Sequence, residues 1–434
     1  MRFLLVLLCT ALFSAAALRA PVFGVCIFLW HDIFQPLTFA FRQGSIPLAA
    51  YCLAVMFGSF LHHLFNGKLK PAWTLFHLEV AIFLVWILIC AIVSPYPTAW
   101  EGMRKVAVYL IPMGIIAFMV QTVRDMEWVS ATLMFSVGIW AAAAGILGPF
   151  HGSYPYLAIE GGQMSDNNEV AAATVGYLPF CIHFIFHYSG RFRLPVRLAI
   201  LGLFLVSLSS IAFSQSRGAA VATGTLAVFF LTLISKHKIR DTLVLVLFSA
   251  GALYFAPDSF WERMGTINIG VEQTEASASN RMALMKAAWE GTLDNPIFGM
   301  GPYCWLDGYA QYIDDRHNPH DVWLKCSVEI GLVGLGLFLA IISTVLACMW
   351  RVRQLAMKAD DARGASMAMA VMASIIGVSI ALSFLSQPYW EYFWAILAGG
   401  AGFHARYVKD DLLLKARARK HAAMGSAPRG AAAP

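Results

Sequence analysis

Long apolar stretches separated by short polar connections make up almost the whole chain. Each stretch is about 17–25 residues long, the length that an α-helix needs to cross a lipid bilayer. The stretches are continuous and lack the alternation of membrane β-strands. The pattern predicts an all-α polytopic membrane protein with about 12 or 13 transmembrane helices. Residues 3–18 resemble the apolar part of a signal peptide, but a further apolar run follows directly, so we expect a retained first helix. The other predicted spans lie near 22–40, 46–65, 74–93, 106–121, 128–147, 169–188, 196–213, 218–234, 241–256, 327–349, 365–386 and 389–407.

Composition supports this prediction and excludes other classes. Hydrophobic residues make up 59% of the chain and charged residues 13%, whereas a soluble domain carries about 25% charged residues. The net charge of +6 does not indicate a nucleic-acid partner, because the basic residues cluster at the ends of apolar runs, as membrane topology requires. The eight cysteines lie mostly within apolar runs and form no CxxC pair, which is typical of buried hydrophobic side chains.

Lysine and arginine predict the orientation of the second half of the chain. Cations are concentrated in alternate connections, which we expect on the cytoplasmic side; they are Arg191, Arg193, Arg197, Lys236, Lys238, Arg240, Arg351, Arg353, Lys358 and Arg363. Residues 257–326 then form an outer loop, periplasmic in a Gram-negative bacterium. The predicted organisation is a helix bundle over 1–256, a periplasmic loop with two short helices over 257–326, further membrane helices over 327–407 and a disordered basic cytoplasmic tail over 408–434.

A few cations interrupt this charge pattern, because they stand at the outer membrane edge. They are Arg104, Lys105, Arg217, Arg263 and Arg281. Cations on the outer side oppose the usual bias of membrane topology. A bound anion is the simplest explanation for them.

The outer loop contains two segments that the sequence predicts to be helical. The first begins at Asn280, with Arg281 on its first turn, and ends before Asn295-Pro296. Its predicted apolar stripe consists of Met282, Met285, Ala288 or Trp289, and Thr292 or Leu293. A turn at Gly299 and Gly301 follows, either a plain tight turn or a place where the backbone approaches a ligand closely.

The second segment is predicted to begin with Asn318 as its N-cap and Pro319 at the first helical position. His320 then lies in the first turn, where the helix dipole disfavours the imidazolium form. A neutral histidine is a competent general base, although a structural role is an alternative. His317 lies close enough in sequence to share a metal, but no further ligand set accompanies it.

Three acidic motifs have both a functional and a structural interpretation. The sequence Asp166, Asn167, Asn168, Glu169 offers sugar-binding amides and carboxylates, or it is an N-cap followed by an acidic first turn. Asp314-Asp315 is a cation site or a solvated loop. Glu329 is predicted within the first turns of a span, where an ionisable group is costly and usually functional.

Three short motifs together resemble those of the O-antigen ligase/polymerase superfamily of membrane glycosyltransferases. They are SRGA in one span, an arginine eight residues before the tryptophan that precedes NPIFGMGP, and PHDVWLKCSVEIGLVGLG. The LRAPVFGV start, the AWEGMRKV connection and SDNNEVA are most similar to the O-glycosylation ligases associated with exosortase systems. Asp321 stands where asparagine is commoner in that superfamily, which leaves the role of the amide open.

The resemblance implies a GT-C-like helical transferase of the bacterial inner membrane, with its active site facing the periplasm. The implied donor is a glycan on undecaprenyl diphosphate, and the acceptor is a hydroxyl group of lipid A core, of a growing glycan or of a protein. The implied reaction inverts the anomeric centre and uses no metal or other cofactor. Membrane lipid is a partner, and nucleic acid is not.

Within this interpretation His320 is the general base, and Arg217 and Arg281 bind the departing diphosphate. Substrate-binding roles are predicted for Arg104, Lys105, Asp166, Asn167, Asn168, Glu169, His317, Asp321 and Glu329. A polysaccharide polymerase of the same superfamily is the main alternative. A transporter of lipid-linked glycans is disfavoured because the spans contain few charges, and a structural assembly subunit is disfavoured by the arginine and histidine residues.

Overall fold

All regular structure in the described part of the chain is helical. The computed structural model describes residues 2–39, 48–151, 166–190, 192–214, 216–234, 239–240, 242–243, 276–313 and 317–425. The chain is an all-α polytopic membrane protein, as the apolar stretches predicted. Its α-helices are α1 Arg2–Ala17, α2 Val22–Leu29, α3 Pro36–Phe39, α4 Leu48–Phe65, α5 Leu75–Val93, α6 Thr98–Met119, α7 Val123–His151, α8 Asn167–His187, α9 Arg193–Phe213, α10 Arg217–Phe229, α11 Ala276–Asp294, α12 Trp305–Gly308, α13 Val322–Lys358, α14 Ala362–Leu382 and α15 Glu391–Gly425. Short π-helical turns follow α2 and α10, at Trp30–Phe34 and Phe230–Ile234, and a 3-10 turn follows α12 at Tyr309–Gln311.

Eight helices of the described residues are long and apolar enough to cross a membrane, namely α4 to α9, α13 and α14. Helices α1, α2 and α10 are apolar but shorter. The prediction of one span over 22–40 is wrong, because Gln35 adopts a left-handed conformation (φ 51°) and ends the helical run. The predicted span over 241–256 lies almost wholly outside the described residues. Helix α15 continues to Gly425, so the predicted disordered tail is helical over residues 408–425.

The centre of the bundle is formed by α8 and α14, which bury most of their length, whereas α4 and α9 bury about a quarter of theirs. Close packing at the centre depends on small residues. Gly176 of α8 faces Val378 of α14 and Tyr392 of α15, and a Cβ atom at this position would overlap both side chains. The aromatic core around Phe338 and Trp394, whose rings stack with centroids 5.5 Å apart, joins α13 to α15.

The segment that follows α11 is bonded to a kink in α13. Gly331 lies in the left-handed region (φ 73°), and the helix changes direction at Ile330–Gly331. The amide of Met300 donates to the carbonyl of Val328 and that of Gly301 to the carbonyl of Glu329, each over 2.8 Å. These glycine-rich residues therefore form a turn that packs against protein backbone. The close approach of this turn is to the neighbouring helix, whereas the two predicted interpretations were a plain tight turn and close approach to a ligand.

Helix α11 differs from its prediction in start and in orientation. It begins at Ala276, four residues before the predicted start at Asn280. Its buried face consists of Leu284, Ala287, Ala288, Gly291 and Thr292, while Met282, Trp289 and Leu293 of the predicted stripe are exposed. Small residues predominate on this buried face, among them Ala288 and Thr292 of the predicted alternatives, and Gly291 lies against Val328 of α13.

Candidate functional site

A cavity of about 380 Å³ lies at the end of the bundle where α8 and α13 begin and α14 ends. Polar side chains from four separate segments of the chain converge on it. Its lining consists of Asp166, Glu169, Tyr303, Leu306, Asn318, His320, Lys325, Glu329, Leu385, Ser386, Gln387 and Pro388. Four of the residues predicted from the sequence as site residues are therefore brought together: Asp166, Glu169, His320 and Glu329.

His320 lies in the cavity wall just before α13. The predicted position in the first helical turn is wrong, because α13 begins at Val322 and His320 adopts a left-handed conformation with φ 48°. Its amide donates a hydrogen bond of 2.9 Å to Ser386 Oγ, in the connection between α14 and α15. The second predicted helix is therefore the first part of the long helix α13. This hydrogen bond joins two distant segments of the chain. It holds His320 in an uncommon backbone conformation.

The surroundings of His320 favour the neutral imidazole. Burial lowers the pKa of His320 below its ordinary value, and the positive charge of Arg281 lowers it further. The carboxylate of Asp166 opposes this shift, while His317 and Lys325 add to it. A half-buried neutral histidine at a cavity wall has the protonation state that a general base requires near pH 7. The sequence analysis also predicts a lowered pKa for His320, but from the dipole of a helix. In the structure the same direction of shift is caused by burial and by the charge of Arg281.

Asp321 is the N-cap of α13, the role that had been predicted for Asn318. Its Oδ1 accepts a hydrogen bond of 2.8 Å from the amide of Leu324. Burial raises the pKa of this carboxyl, and the hydrogen bonds from the amides of Leu324 and Trp323 partly offset the shift. Aspartate and asparagine are equally good N-caps because each offers a side-chain oxygen. The departure from the commoner asparagine therefore leaves this cap intact.

A lysine and a glutamate one turn apart on α13 form a deeply buried polar part of the cavity. Glu329 is 1% exposed and Lys325 7%. Lys325 Nζ lies 4.0 Å from Glu329 Oε1, and neither carboxylate oxygen accepts a hydrogen bond of ordinary geometry from the described residues. Sequence reasoning missed Lys325. The signal available was its position four residues before Glu329, the spacing that places two side chains on one helix face.

Tyr303 is a second lining residue that was missed. Its ring centroid lies 5.8 Å from Lys325 Nζ and also 5.8 Å from Lys105 Nζ. Tyr303 has φ 62° and follows the turn that is bonded to α13. Burial raises the pKa of its hydroxyl, so Tyr303 stays neutral at physiological pH. No sequence signal separates this tyrosine from the others, since its position depends on the turn.

The acidic motif before α8 is a helix cap, as one of its two interpretations predicted, and its sugar-binding interpretation stays a prediction. Asp166 is the N-cap of α8 and forms a capping box with Glu169, which in turn accepts a hydrogen bond from the amide of Asp166 over 3.3 Å. Glu169 Oε1 also accepts a 2.6 Å hydrogen bond from Gln387 Nε2. Both carboxylates line the cavity. Asn167 and Asn168 lie in the same first turn but are not part of the described lining.

The four predicted anion-binding cations within the described residues lie outside the cavity lining, and all are exposed. Arg281 on α11 is near enough to His320 to lower its pKa. Arg217 is the first residue of α10, whose next residue Gly218 packs against Phe384 beside the cavity wall. Arg104 and Lys105 lie on the second turn of α6, where a connection had been predicted. Arg263 lies outside the described residues.

The described residues contain no group of three histidine, cysteine, aspartate or glutamate side chains placed to hold a metal ion. His317 is exposed, and its carbonyl oxygen accepts a 2.8 Å hydrogen bond from Trp305 Nε1. The backbone carbonyl of His317 therefore holds the indole ring of Trp305 in place. Asp314-Asp315 lies outside the described residues.

Two protein families match this chain. Residues 201–339 match the family described as O-antigen ligase. Residues 1–189 match a family of unknown function. No curated protein matches the chain. The first match contains His320, Arg281, Arg217, Lys325 and Glu329, whereas Asp166 and Glu169 belong to the second.

Proposed function

Because the chain belongs to the O-antigen ligase/polymerase superfamily, a group of membrane enzymes, we propose that it transfers a glycan from undecaprenyl diphosphate to an acceptor hydroxyl group. The observation that carries this proposal is the half-buried His320 in a cavity wall, within electrostatic range of Arg281. A general base in the cavity wall and a cation outside it that acts on this base are the two groups that transfer from a diphosphate donor needs.

His320 removes the proton of the acceptor hydroxyl as the oxygen attacks the anomeric carbon. A bond forms between that oxygen and the carbon while the bond from the carbon to the diphosphate oxygen breaks on the opposite face, so the configuration inverts. The pKa of His320 is lowered by burial and by Arg281, which keeps the ring nitrogen available at neutral pH. The proton stays on His320 until it is released to solvent.

Arg281 and Arg217 offset the negative charge that develops on the departing diphosphate. Guanidinium groups bind phosphate oxygens in a bidentate manner, so they supply charge and orientation together. Arg281 acts electrostatically on His320, which places it within range of a reaction at that residue. Arg217 begins the helix that packs beside Phe384, next to the cavity. Arg104 and Lys105 assist from α6, where Lys105 lies against Tyr303.

The charge distribution along the bundle supports a periplasmic position of the site in the inner membrane. The cavity lies at the end where α13 begins. The opposite end of α13 and the start of α14 carry Arg351, Arg353, Lys358 and Arg363. Cations are enriched on the cytoplasmic side of membrane proteins. This charge distribution supports our assignment of the cavity to the outer end.

The proposal is tested with the purified full chain, an undecaprenyl-diphosphate glycan and three acceptors: lipid A core, a free glycan and a serine- or threonine-containing peptide. Identification of the product separates ligation from polymerisation, and a parallel reaction with EDTA tests independence of metal. We expect His320→Ala to lower transfer by about 10²- to 10⁴-fold. His62→Ala, which alters an exposed histidine on α4, is the matched control. Unchanged transfer by the inserted His320→Ala protein would remove this residue from the mechanism.

A further inference from the structure

Glu329 differs from the other two carboxyl groups of the cavity in its hydrogen bonding. Asp166 accepts a hydrogen bond from the amide of Asn168, and Glu169 accepts one from Gln387. Glu329 is the most buried of the three, and although the backbone amides of Tyr303 and Trp305 lie near its carboxylate, neither oxygen accepts a hydrogen bond of ordinary geometry from the described residues. Lys325 Nζ, at 4.0 Å, is beyond hydrogen-bond length. A buried carboxylate in this state is costly, and a donor entering the cavity would remove that cost.

The charge of the lining sets the chemistry of such a donor. The described lining holds three carboxyl groups and one ammonium group, that of Lys325, while His320 is neutral. The net charge of the lining is therefore negative even when one carboxyl group is protonated. A negatively charged group placed here would be repelled, because Coulomb interactions are strong away from bulk water. Arg217 and Arg281 lie outside the lining. An anionic group of a ligand that binds these arginines therefore lies apart from the group that enters the cavity.

The remaining lining suits a sugar ring. Tyr303 contributes an aromatic surface, and Asn318 and Gln387 contribute amide groups. Asn318 Oδ1 is buried and has no hydrogen-bond partner among the described residues. A few polar groups placed around an aromatic surface are typical of sites that bind small polar ligands.

We propose that Glu329 and Lys325 form the subsite for the sugar that is attached directly to the diphosphate of the donor. This sugar is a neutral or amino sugar, because a uronic acid would place a second anion against Glu329. Glu329 accepts hydrogen bonds from its hydroxyl or ammonium groups, and Lys325 donates to a ring substituent. The inference rests on the proposed function and deepens it. The first sugar lies here because its anomeric carbon must reach His320 while the diphosphate lies at the arginines.

The test measures binding and requires no transfer. Short-chain prenyl diphosphates that carry glucose, glucosamine or glucuronic acid are titrated into the purified full chain in detergent, with calorimetric dissociation constants. We expect the glucose and glucosamine compounds to bind at least about tenfold more tightly than the glucuronate. Glu329→Gln should weaken binding of the glucose compound by about tenfold and reduce the discrimination against glucuronate to less than about threefold.

Two further variants keep the test decisive. Glu290→Gln changes an exposed carboxylate on α11 and should retain native affinity and selectivity. The double variant Lys325→Met with Glu329→Gln removes both charges, so no uncompensated buried charge remains if the single variant fails to fold. It should also lose the discrimination.

Equal affinity of the native chain for glucose and glucuronate compounds would overturn the inference, and so would full discrimination in both Glu329 variants. The methyl glycosides of glucose and glucuronic acid are titrated in parallel. If the chain discriminates between these glycosides but not between the prenyl diphosphate sugars, the assignment of the subsite to the donor is overturned. A chain that binds selectively and transfers no glycan contradicts the proposed function alone.

Discussion

The hydrogen bond from the amide of His320 to Ser386 Oγ should control the activity of the proposed base by fixing the backbone of His320. The perturbation is Ser386→Ala, which removes the acceptor of this 2.9 Å bond. Nothing else in the described structure holds the amide of His320, and the residue has φ 48°. Loss of the bond should let the chain leave this conformation and withdraw the imidazole from its place in the wall.

The magnitude follows from two opposing terms. A left-handed conformation of a non-glycine residue costs about 1–3 kcal/mol. A backbone hydrogen bond to a hydroxyl group contributes about 0.5–1.5 kcal/mol. Removing the bond shifts the conformational equilibrium away from the observed state by about 1 kcal/mol, which corresponds to roughly a fivefold fall in rate. We therefore expect kcat for glycan transfer to fall about three- to tenfold, with little change in KM.

The assay is steady-state transfer from the lipid-linked donor by the purified protein. Ser386→Thr should restore kcat, because it keeps the hydroxyl group, and this rescue separates positioning of His320 from general destabilisation. Ser343→Ala is the control, since that hydroxyl bonds only to the Leu339 carbonyl within α13. A Ser386→Ala protein with native kcat would refute the reasoning. An equal fall in kcat in Ser386→Ala and Ser386→Thr would also refute it.

Three further predictions concern charge, packing and helix capping. Arg281→Gln removes a cation that lowers the pKa of His320, so this pKa should rise. The acid limb of the pH profile of kcat/KM should then move to higher pH. Arg281→Lys keeps the charge and should leave the acid limb in place. An unshifted limb in Arg281→Gln would contradict the coupling. Gly331→Ala should destabilise the protein by at least about 2 kcal/mol, because φ is 73° and a Cβ atom would overlap a neighbouring carbonyl; thermal unfolding in detergent measures this, and Gly336→Ala, which has open space, should unfold at the native temperature. Asp321→Ala should cost about 0.5–2 kcal/mol through loss of the N-cap, and Asp321→Asn should retain both stability and transfer; equal stability of all three proteins would show that the cap does not contribute.

Much of the fold followed from local sequence. Spans such as 74–93 and 169–188 agree with α5 and α8 to within two residues. The capping box at Asp166 and Glu169 was among the predicted alternatives, because capping depends on residues that are close in sequence. The O-antigen ligase family that matches residues 201–339 agrees with the resemblance drawn from three short motifs.

The errors arose where long-range contacts override local preference. Asn318 and Pro319 are a good start signal for a helix, yet α13 begins at Val322, since the amide of His320 bonds to Ser386 instead. The apolar stripe predicted for α11 consists of Met282, Met285, Ala288 or Trp289, and Thr292 or Leu293, and of these Ala288 and Thr292 are buried. The structure buries Leu284, Ala287 and Ala288 there, because the close approach to α13 admits only small residues along most of that face.

For the candidate site, the chain alone identified four of the residues that line the cavity. His320, Asp166, Glu169 and Glu329 are unusual in so apolar a sequence, and ionisable groups are costly enough near a membrane that they draw attention by themselves. Which of them meet was settled by tertiary contacts. Residues 166–169, 303–306, 318–329 and 385–388 converge on one cavity through a kinked helix and a glycine turn bonded to it. Tyr303 gained its position from that convergence, because helical periodicity does not specify contacts between separate segments of the chain.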